Sequence, residues 1–507
     1  MSTLQKKDNT KVILIGLMLA ILMSAMDNTI VTTAMGTIVS DLGGMEQFVW
    51  VTSAYMVAVM AGTPIFGKLS DMYGRKRFFI FGIIMFMLGS ALCGIANSIV
   101  QLSIYRAIQG IGGGALMPIA FTIIYDIFPL EQRGKMTGLL GAVFGTSSIF
   151  GPLLGAFITD SLSWHWVFYI NIPIGIVSLL LIISNYRESL SHMKQQIDWA
   201  GAFTLVGAVV CLMFALELGG EKYAWDSSAI LGLFAGFAVL FIAFLIVELR
   251  AKEPVISFGM FRNRLYSTSS ILALFYGSTF IVATVYIPIF VQGVFGGSAT
   301  NSGVILMPMM IGSVVSSMLG GMLSSKLSYR TIMVVSIISF LGGIFALSTL
   351  TTDTPRYLLT LYSILTGFGV GFSFSVLSMA AVHHFDMHQR GAATSTNSFL
   401  RSLGMTLGIT IFGIIQRNLM NDSLAASFKG MGQAGHSFGD TREALSPEKR
   451  VLIPPQILDK ITDALSSSIA HTFMWALVPL VGAVLVVFLM PNDRIVRKAG
   501  NPMKQQG

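Results

Sequence analysis

The sequence predicts an all-α polytopic membrane protein, two six-helix bundles with two further membrane helices inserted between them. Three observations carry that expectation. Of 507 residues, 54% are hydrophobic and only 11% charged, with a mean hydropathy of +0.74, whereas soluble domains carry about 25% charged residues. Fourteen apolar runs start near residues 12, 47, 78, 100, 136, 165, 198, 229, 268, 301, 331, 356, 392 and 470, each close to the about 20 residues that cross a bilayer as a helix. The chain also repeats itself at a constant offset of 257. Tyr105 matches Tyr362, Gly110, Gly112 and Gly114 match Gly367, Gly369 and Gly371, Phe128 matches Phe385, and Gln132-Arg133-Gly134 matches Gln389-Arg390-Gly391. Transporters are commonly built from such repeats, with the substrate path between them. The offset exceeds a six-helix unit because two runs are inserted. Residues 1–190 should therefore form the first bundle, 191–254 the inserted pair, and 255–507 the second bundle with a long outer loop at 417–469.

Charge sets the expected orientation. An even number of spans puts both termini on one side, and if that side is the cytoplasm, the inner segments hold 22 of the 32 Lys and Arg while the short outer loops hold two. Basic loops stay inside, so the expected location is the cell (plasma) membrane, multi-pass, with both termini cytoplasmic. The same distribution accounts for a pI near 9.4 without nucleic acid. The first run is too long for a signal-peptide core and lacks a small-residue cleavage site, so it should remain as an anchor. Cys93 and Cys211 both lie in apolar runs, which excludes a disulfide framework or a cysteine metal cluster. His383, His384 and His388 with Asp386 lack a metal-ligand spacing and read as a solvated loop end. With no nucleophile–base pair, phosphate loop or metal set, the chain should be no enzyme, hold no cofactor and not be driven by ATP.

Within the spans, the residues of interest follow in chain order. Asp27 lies in the first run, 16 residues beyond Lys11, about 24 Å from the inner surface at the helical rise. Arg106 lies in the fourth, 20 residues before Asp126, about 30 Å from that surface. A guanidinium inside a membrane requires a partner, and a long side chain bridges the difference in depth. Asp27 is then either a structural partner for Arg106 or a proton carrier whose protonation releases it. Gly110, Gly113, Gly114 and Met117 follow Arg106 along one helical face, where small residues let a second helix approach. The stretch GIGGGA is not a dinucleotide loop, because no strand precedes it.

The turn after the second run reads GKLSDMYGRKR, Gly67 to Arg77, and places Asp71 four residues before Arg75. Positive-inside charge explains the basic residues but not Asp71. Asp126 is placed to pair with Arg75, and a carboxylate such as Asp71 is favoured at a helix N-terminus, so the group is expected to latch the two bundles together. The second-half counterpart, GMLSSKLSYR, has Ser325 in place of Asp71, which makes the latch one-sided. The fifth run, GAVFGTSSIFGPLLG, holds Gly141, Gly145, Gly151, Pro152 and Gly155, expected to form a bent, tight seam between bundles. Glu217, near the outer end of the seventh run, either joins proton coupling or faces headgroups. Arg401, about 16 Å deep by helical rise, has no second-half carboxylate at its level and either lines a wet cavity, binds an anion or bonds to carbonyls. Met23, Met26, Trp50, Tyr55, Phe144, Tyr276, Tyr286, Met307, Phe372 and Arg401 are candidates for a substrate cavity, methionine being adaptable to varied apolar ligands.

These stretches resemble known signatures. GKLSDMYGRKR resembles the loop 2–3 signature of the major facilitator superfamily, YRAIQGIGGG its helix 4 motif, and GTSSIFGPLLG the helix 5 motif associated with antiporters. MDNTIVTTAM, WHWVFYINIPIG and the span count look like the fourteen-helix drug:proton antiporter branch, over residues 10–495. The resemblance implies Asp27 as the proton-linked acid, Arg106 as the helix 4 arginine, and Asp71 with Arg75 as the cytoplasmic gate. Relatives that take divalent cations carry further acids where this chain has Met307, Met309 and Arg401, so neutral or monocationic drugs fit better. The expected function is proton-coupled export of hydrophobic drugs. The expected partners are small amphiphilic substrates, protons and the lipid bilayer, with the monomer as the working unit. The alternatives are an exporter of one lipid or metabolite and a non-transporting sensor with this fold.

Overall fold

The computed structural model describes residues 2–43, 49–188, 198–220, 222–296, 299–427 and 454–494. Its helices are α1 Ser2–Leu42, α2 Val49–Tyr73, α3 Arg75–Cys93, α4 Ile99–Ile127, α5 Leu130–Ser161, α6 Trp166–Tyr169, α7 Asn171–Asn185, α8 Trp199–Leu218, α9 Ser228–Arg250, α10 Arg264–Gly293, α11 Ala299–Leu323, α12 Tyr329–Leu347, α13 Arg356–Val382, α14 Arg390–Ser427, α15 Pro455–Trp475 and α16 Leu477–Leu489. Among the described residues, thirteen helical stretches are long and apolar enough to cross a membrane, with α6–α7 and α15–α16 each forming one. Together with α5, which is richer in Gly, Ser and Thr, they match the fourteen predicted runs. Side-chain caps start several of them where a polar residue precedes the apolar run: Ser98, Asp198, Ser227, Asn263 and Ser328 each accept a backbone N–H of the following turn.

One boundary differs from expectation. Residues 417–427 continue α14 and residues 455–469 belong to α15, so most of what reads as an outer loop at each end is helix. Met420 is buried at the end of α14, and α15 buries Ile461, Leu465, Ile469 and Phe473 along one side against α10 and α14. The PQILDKITDALSSSIA segment is thus the body of a membrane helix rather than a short lead-in. The remainder of the expected loop, 428–453, lies outside the described residues.

The repeat is visible in the packing. In the first bundle α4 packs against α2 and α3, and α1 against α5; in the second, α13 packs against α11 and α12, and α10 against α14. The glycines of the repeat make these approaches possible. A methyl group at Gly112 would strike the backbone of Phe86 and Gly82, and one at Gly369 would strike the backbone of Phe340. The inserted α8 and α9 pack together, α8 also lies on α2, and α9 exposes Leu231, Val239, Ile242, Ile246 and Leu249. That apolar face suits contact with lipid.

Between the bundles, the main contacts are α5 with α11 and α2 with α14, which are equivalent by the repeat. They close at the end of the molecule that carries the α2–α3 turn. There Gly134 and Gly321 meet backbone to backbone, so a methyl group on either would collide with the other, while Gly138 faces Met318 and Gly141 faces Ser317. Gly151 and Gly155, by contrast, pack α5 on Thr29, Thr33 and Ile30 of α1 within the first bundle. The seam between bundles is therefore made by Gly134, Gly138 and Gly141 and not by Gly151. The helix continues through Pro152, but the side chains of Phe144, Gly145 and Pro152 lie outside the described ones.

A side chain at the Gly134–Gly321 contact should force this end apart. Gly321→Val is expected to raise maleimide labelling of a Ser378→Cys probe, buried here opposite Tyr125, about fivefold or more in a background of Cys93→Ala and Cys211→Ala. An unchanged labelling rate would show that this contact does not hold the bundles closed.

Candidate functional site

Two clusters of charge lie in the molecule, one deep in the first bundle and one at the closed end. The deep one is built on Asp27, whose carboxylate is fully buried, as is Arg106. Arg106 Nη1 forms an ion pair with Asp27 Oδ2 and donates to Gln109 Oε1 at 2.7 Å, and its Nε donates to the Val51 carbonyl at 3.3 Å. The other carboxylate oxygen, Oδ1, accepts from Gln109 Nε2 and Asn171 Nδ2, both at 2.8 Å. Gln109 and Asn171 also donate to Ser90 Oγ, which in turn donates to the Phe168 carbonyl. The Tyr55 ring lies 4.1 Å from the guanidinium carbon, with its hydroxyl against Ser24.

The glycines next to Arg106 explain how so many polar groups fit between apolar helices. Gly110, Gly113 and Gly114 lie against Tyr55 and Val59, where any side chain would push α2 away. Gly89 of α3 lies against the backbone of Gln109. Close approach on both sides of α4 lets groups from α1, α2, α3, α4 and α7 converge. A charged pair of this burial is tolerable because both carboxylate oxygens and two of the three guanidinium nitrogens have partners, Nη2 being the exception.

The second cluster assembles at the α2–α3 turn. Gly74, at φ 110, takes a conformation that favours glycine and reverses the chain so that Arg75 starts α3 beside the end of α2. Arg75 Nη2 bonds Asp71 Oδ1 at 3.1 Å and the Met387 carbonyl, and Nη1 pairs with Asp126. Arg390 donates to the other oxygen of Asp126 at 3.4 Å. Asp71 accepts from the backbone N–H groups of Gly391 and Ala392, at 2.9 and 2.8 Å. It thereby caps the N-terminus of α14, a helix of the other bundle, where free N–H groups and the helix dipole both favour an anion. Lys68 adds an ion pair with Glu253 at 2.7 Å. Behind this cluster Tyr125, Arg133, Tyr329, His383 and Arg390 line a cavity of about 110 Å³.

The equivalent joint in the second bundle has different chemistry. Tyr329 stands where the repeat has Arg75 and His383 where it has Asp126, and they meet through a Tyr329 hydroxyl to His383 Nδ1 hydrogen bond of 3.0 Å. Burial and the neighbouring His384 hold His383 below the usual histidine range. His384 bonds Asp493 at 2.9 Å, so these histidines tie the chain near residue 493 to α13 and are not simply a solvated loop end. Ser325 is exposed and donates to its own helix, at the Met322 carbonyl. Among the described residues no group of three His, Cys, Asp or Glu is arranged to hold a metal ion.

The remaining candidates are dispersed. Met23 and Met26 are buried in the packing of α1, and Tyr55 belongs to the Arg106 cluster. Trp50 packs edge-on to Phe214 of the inserted α8, ring centroids 4.7 Å apart. Tyr286 donates to the Phe412 carbonyl, Phe372 packs against Phe368, and Met307 is half-buried on α11. Glu217 is half-buried at the end of α8. Tyr276 and Arg401 do share one small cavity. Sequence reasoning missed Gln109, Asn171 and Ser90. The first two carry a usable signal, since each is an uncharged polar residue inside an apolar run, and Gln109 lies one turn from Arg106.

Residues 17–409 match the sequence pattern of the Major Facilitator Superfamily. The chain is 59% identical to "Multidrug resistance protein 3" of Bacillus subtilis (strain 168), covering 97% of this chain and 98% of that protein. It is 37% identical to the "Multidrug transporter protein MdtP" of the same strain, covering 100% and 98%. The fold resembles the solved structure of the proton:xylose symporter XylE, with a TM-score of 0.62, 14% identity, and 96% and 97% coverage.

Removing one partner of the buried pair should be costlier than removing both. Arg106→Ala leaves the Asp27 charge buried and should lower stability by about 3–5 kcal/mol, read as a lower thermal transition in detergent. The double variant Asp27→Asn, Arg106→Gln should recover part of that loss. Additive losses would mean that the two residues do not act as a pair.

Proposed function

Since the chain belongs to the major facilitator superfamily and is a multi-pass membrane transporter of the multidrug efflux type, not an enzyme, we propose that it is a proton-coupled antiporter. It exports hydrophobic drugs, neutral or singly cationic, by alternating access between the two bundles. The observation that carries the reading is the Asp27 centre. A carboxylate held by Arg106, Gln109 and Asn171 loses its charge when it takes a proton, and Arg106 then loses its ionic partner. Because those donors come from α4 and α7 while the carboxylate is on α1, protonation alters the packing of three helices of the first bundle and so changes which arrangement of the two bundles is favoured.

The closed end supplies the gate. With that end taken as cytoplasmic, the described conformation is closed to the cell interior. Asp71 at the N-terminus of α14, Arg75 on the Met387 carbonyl and the Asp126–Arg390 ion pair are the bonds that must break for the bundles to part. Met307 and Met309 in α11, without an added acid, support uncharged or singly charged substrates over divalent cations.

The test is drug flux in proteoliposomes under an imposed pH gradient, with a panel of amphiphilic dyes. Asp27→Asn should abolish gradient-driven uptake while the protein still folds; normal coupling in that variant would remove Asp27 from the mechanism. Arg106→Lys should restore flux poorly relative to Arg106→Ala, because a point charge does not reproduce the guanidinium fork.

Gating should respond to one half of the repeat only. Asp71→Asn is expected to shift the population toward opening at the closed end by about 1–3 kcal/mol and to slow turnover more than it weakens binding, whereas Ser325→Ala should do little. Equal effects in cysteine-accessibility measurements would rule out a one-sided latch.

A further inference from the structure

The first bundle buries Arg75 and Arg106, each ion-paired within the chain, whereas among the described residues the buried Arg401 of the second bundle has no such counter-ion. Arg106 has Asp27. Arg401, midway along α14, is 9% exposed, and among the described residues no carboxylate forms an ion pair with it. Its Nη2 donates to the Ser373 carbonyl at 3.3 Å, its Nε has no partner, and the Phe374 ring lies 5.0 Å from the guanidinium carbon. The side chain is held in place by close packing. Gly404 and Gly408 bring α14 against Leu274 and Ser278 of α10, and Gly277 of α10 lies against the Arg401 carbonyl. Arg401 thus borders a small cavity between α10 and α13, with Tyr276, Phe280, Val370, Phe374 and Met405 around it. The Tyr276 hydroxyl is already bonded to Ser336 at 2.9 Å, so Arg401 is the free polar group of a largely apolar and aromatic pocket.

A guanidinium at this depth in a membrane protein calls for an anion, and planar recognition of a carboxylate is the geometry it is built for. We infer that Arg401 binds the carboxylate of a transported amphiphile, so that the substrate class includes zwitterions of zero net charge, with the acid group on α14 and the apolar body against the aromatic wall. This inference rests on the exporter reading and adds a substrate contact in the second bundle, apart from the proton site in the first. The cavity measures about 10 Å³, room for about one water-sized group, so the carboxylate enters only as the side chains around Arg401 move apart.

The test uses equilibrium binding to the full-length protein in detergent, at constant pH and without a gradient, so that it reads correctly even if proton coupling fails. The probes are a zwitterionic carboxyl-rhodamine and its methyl ester, followed by fluorescence anisotropy in Hepes buffer without added salt. The wild type should bind the acid about tenfold or more tightly than the ester. Arg401→Gln should abolish that preference by weakening the acid and leave the ester within about twofold, and Arg401→Lys should keep part of it. No acid preference in the wild type would overturn the inference without reliance on any variant, and so would equal weakening of both probes by Arg401→Gln. If the ester binds only when chloride is added, and that dependence vanishes in Arg401→Gln, the site belongs to a free inorganic anion and the substrate assignment fails.

Discussion

Charge in a fold that must sit in hydrocarbon has to be neutralised by groups on the chain itself, and the Asp27–Arg106 pair shows how much of the first bundle serves that need. The glycines of α4, the close approach of α2 and α3, and the inward placing of Ser90, Gln109 and Asn171 all follow from it. Remove the carboxylate's donors and the apolar packing around them loses its reason to be so tight. A proton on that carboxylate would change the charge balance of the packed interior by a full unit. Structural necessity and the capacity to switch therefore reside in the same atoms.

The two bundles repeat in backbone more faithfully than in chemistry. At equivalent joints α2 meets α14 and α11 meets α5. On one side an aspartate caps a helix and an arginine pairs with a second acid, while on the other a serine turns back to its own helix and a tyrosine meets a histidine. Geometry is thus shared, and the energy of closure is concentrated on one side. Alternating access needs both joints to part together, but only one of them has to hold.

Much of this was legible in the sequence, and the limits are physical. Rise per residue sufficed to put Asp27 and Arg106 at compatible depths, because a membrane helix is a ruler and a guanidinium inside it is costly enough to call for an anion. The 257-residue offset and the reading of Asp71 as a helix-terminal anion also match the geometry, since both rest on backbone regularities. What could not be read is which faces meet. Gly141 and Gly151 look alike in the sequence, yet ten residues of helix turn one toward α11 and the other toward α1. The polar character of residues 417–427 and 455–469 suggested a loop, but the buried side of α15 and the end of α14 make helix there, because one apolar stripe is enough when a neighbour covers it. The methionines and aromatics proposed for a substrate cavity defeated the sequence for the same reason: an apolar residue in an apolar span carries no sign of whether it faces lipid, a neighbour or a void.

The meeting of Gly134 and Gly321 makes a bearing surface of bare main chain. A closure of that kind has no side-chain rotamers to rearrange as the bundles part and meet again, and its fit does not depend on what occupies the cavity above it. Residues lining the ligand path are then free to vary through evolution or under drug selection without retuning the mechanical joint. A transporter with such a joint can change its spectrum of cargo by single substitutions while its motion stays the same.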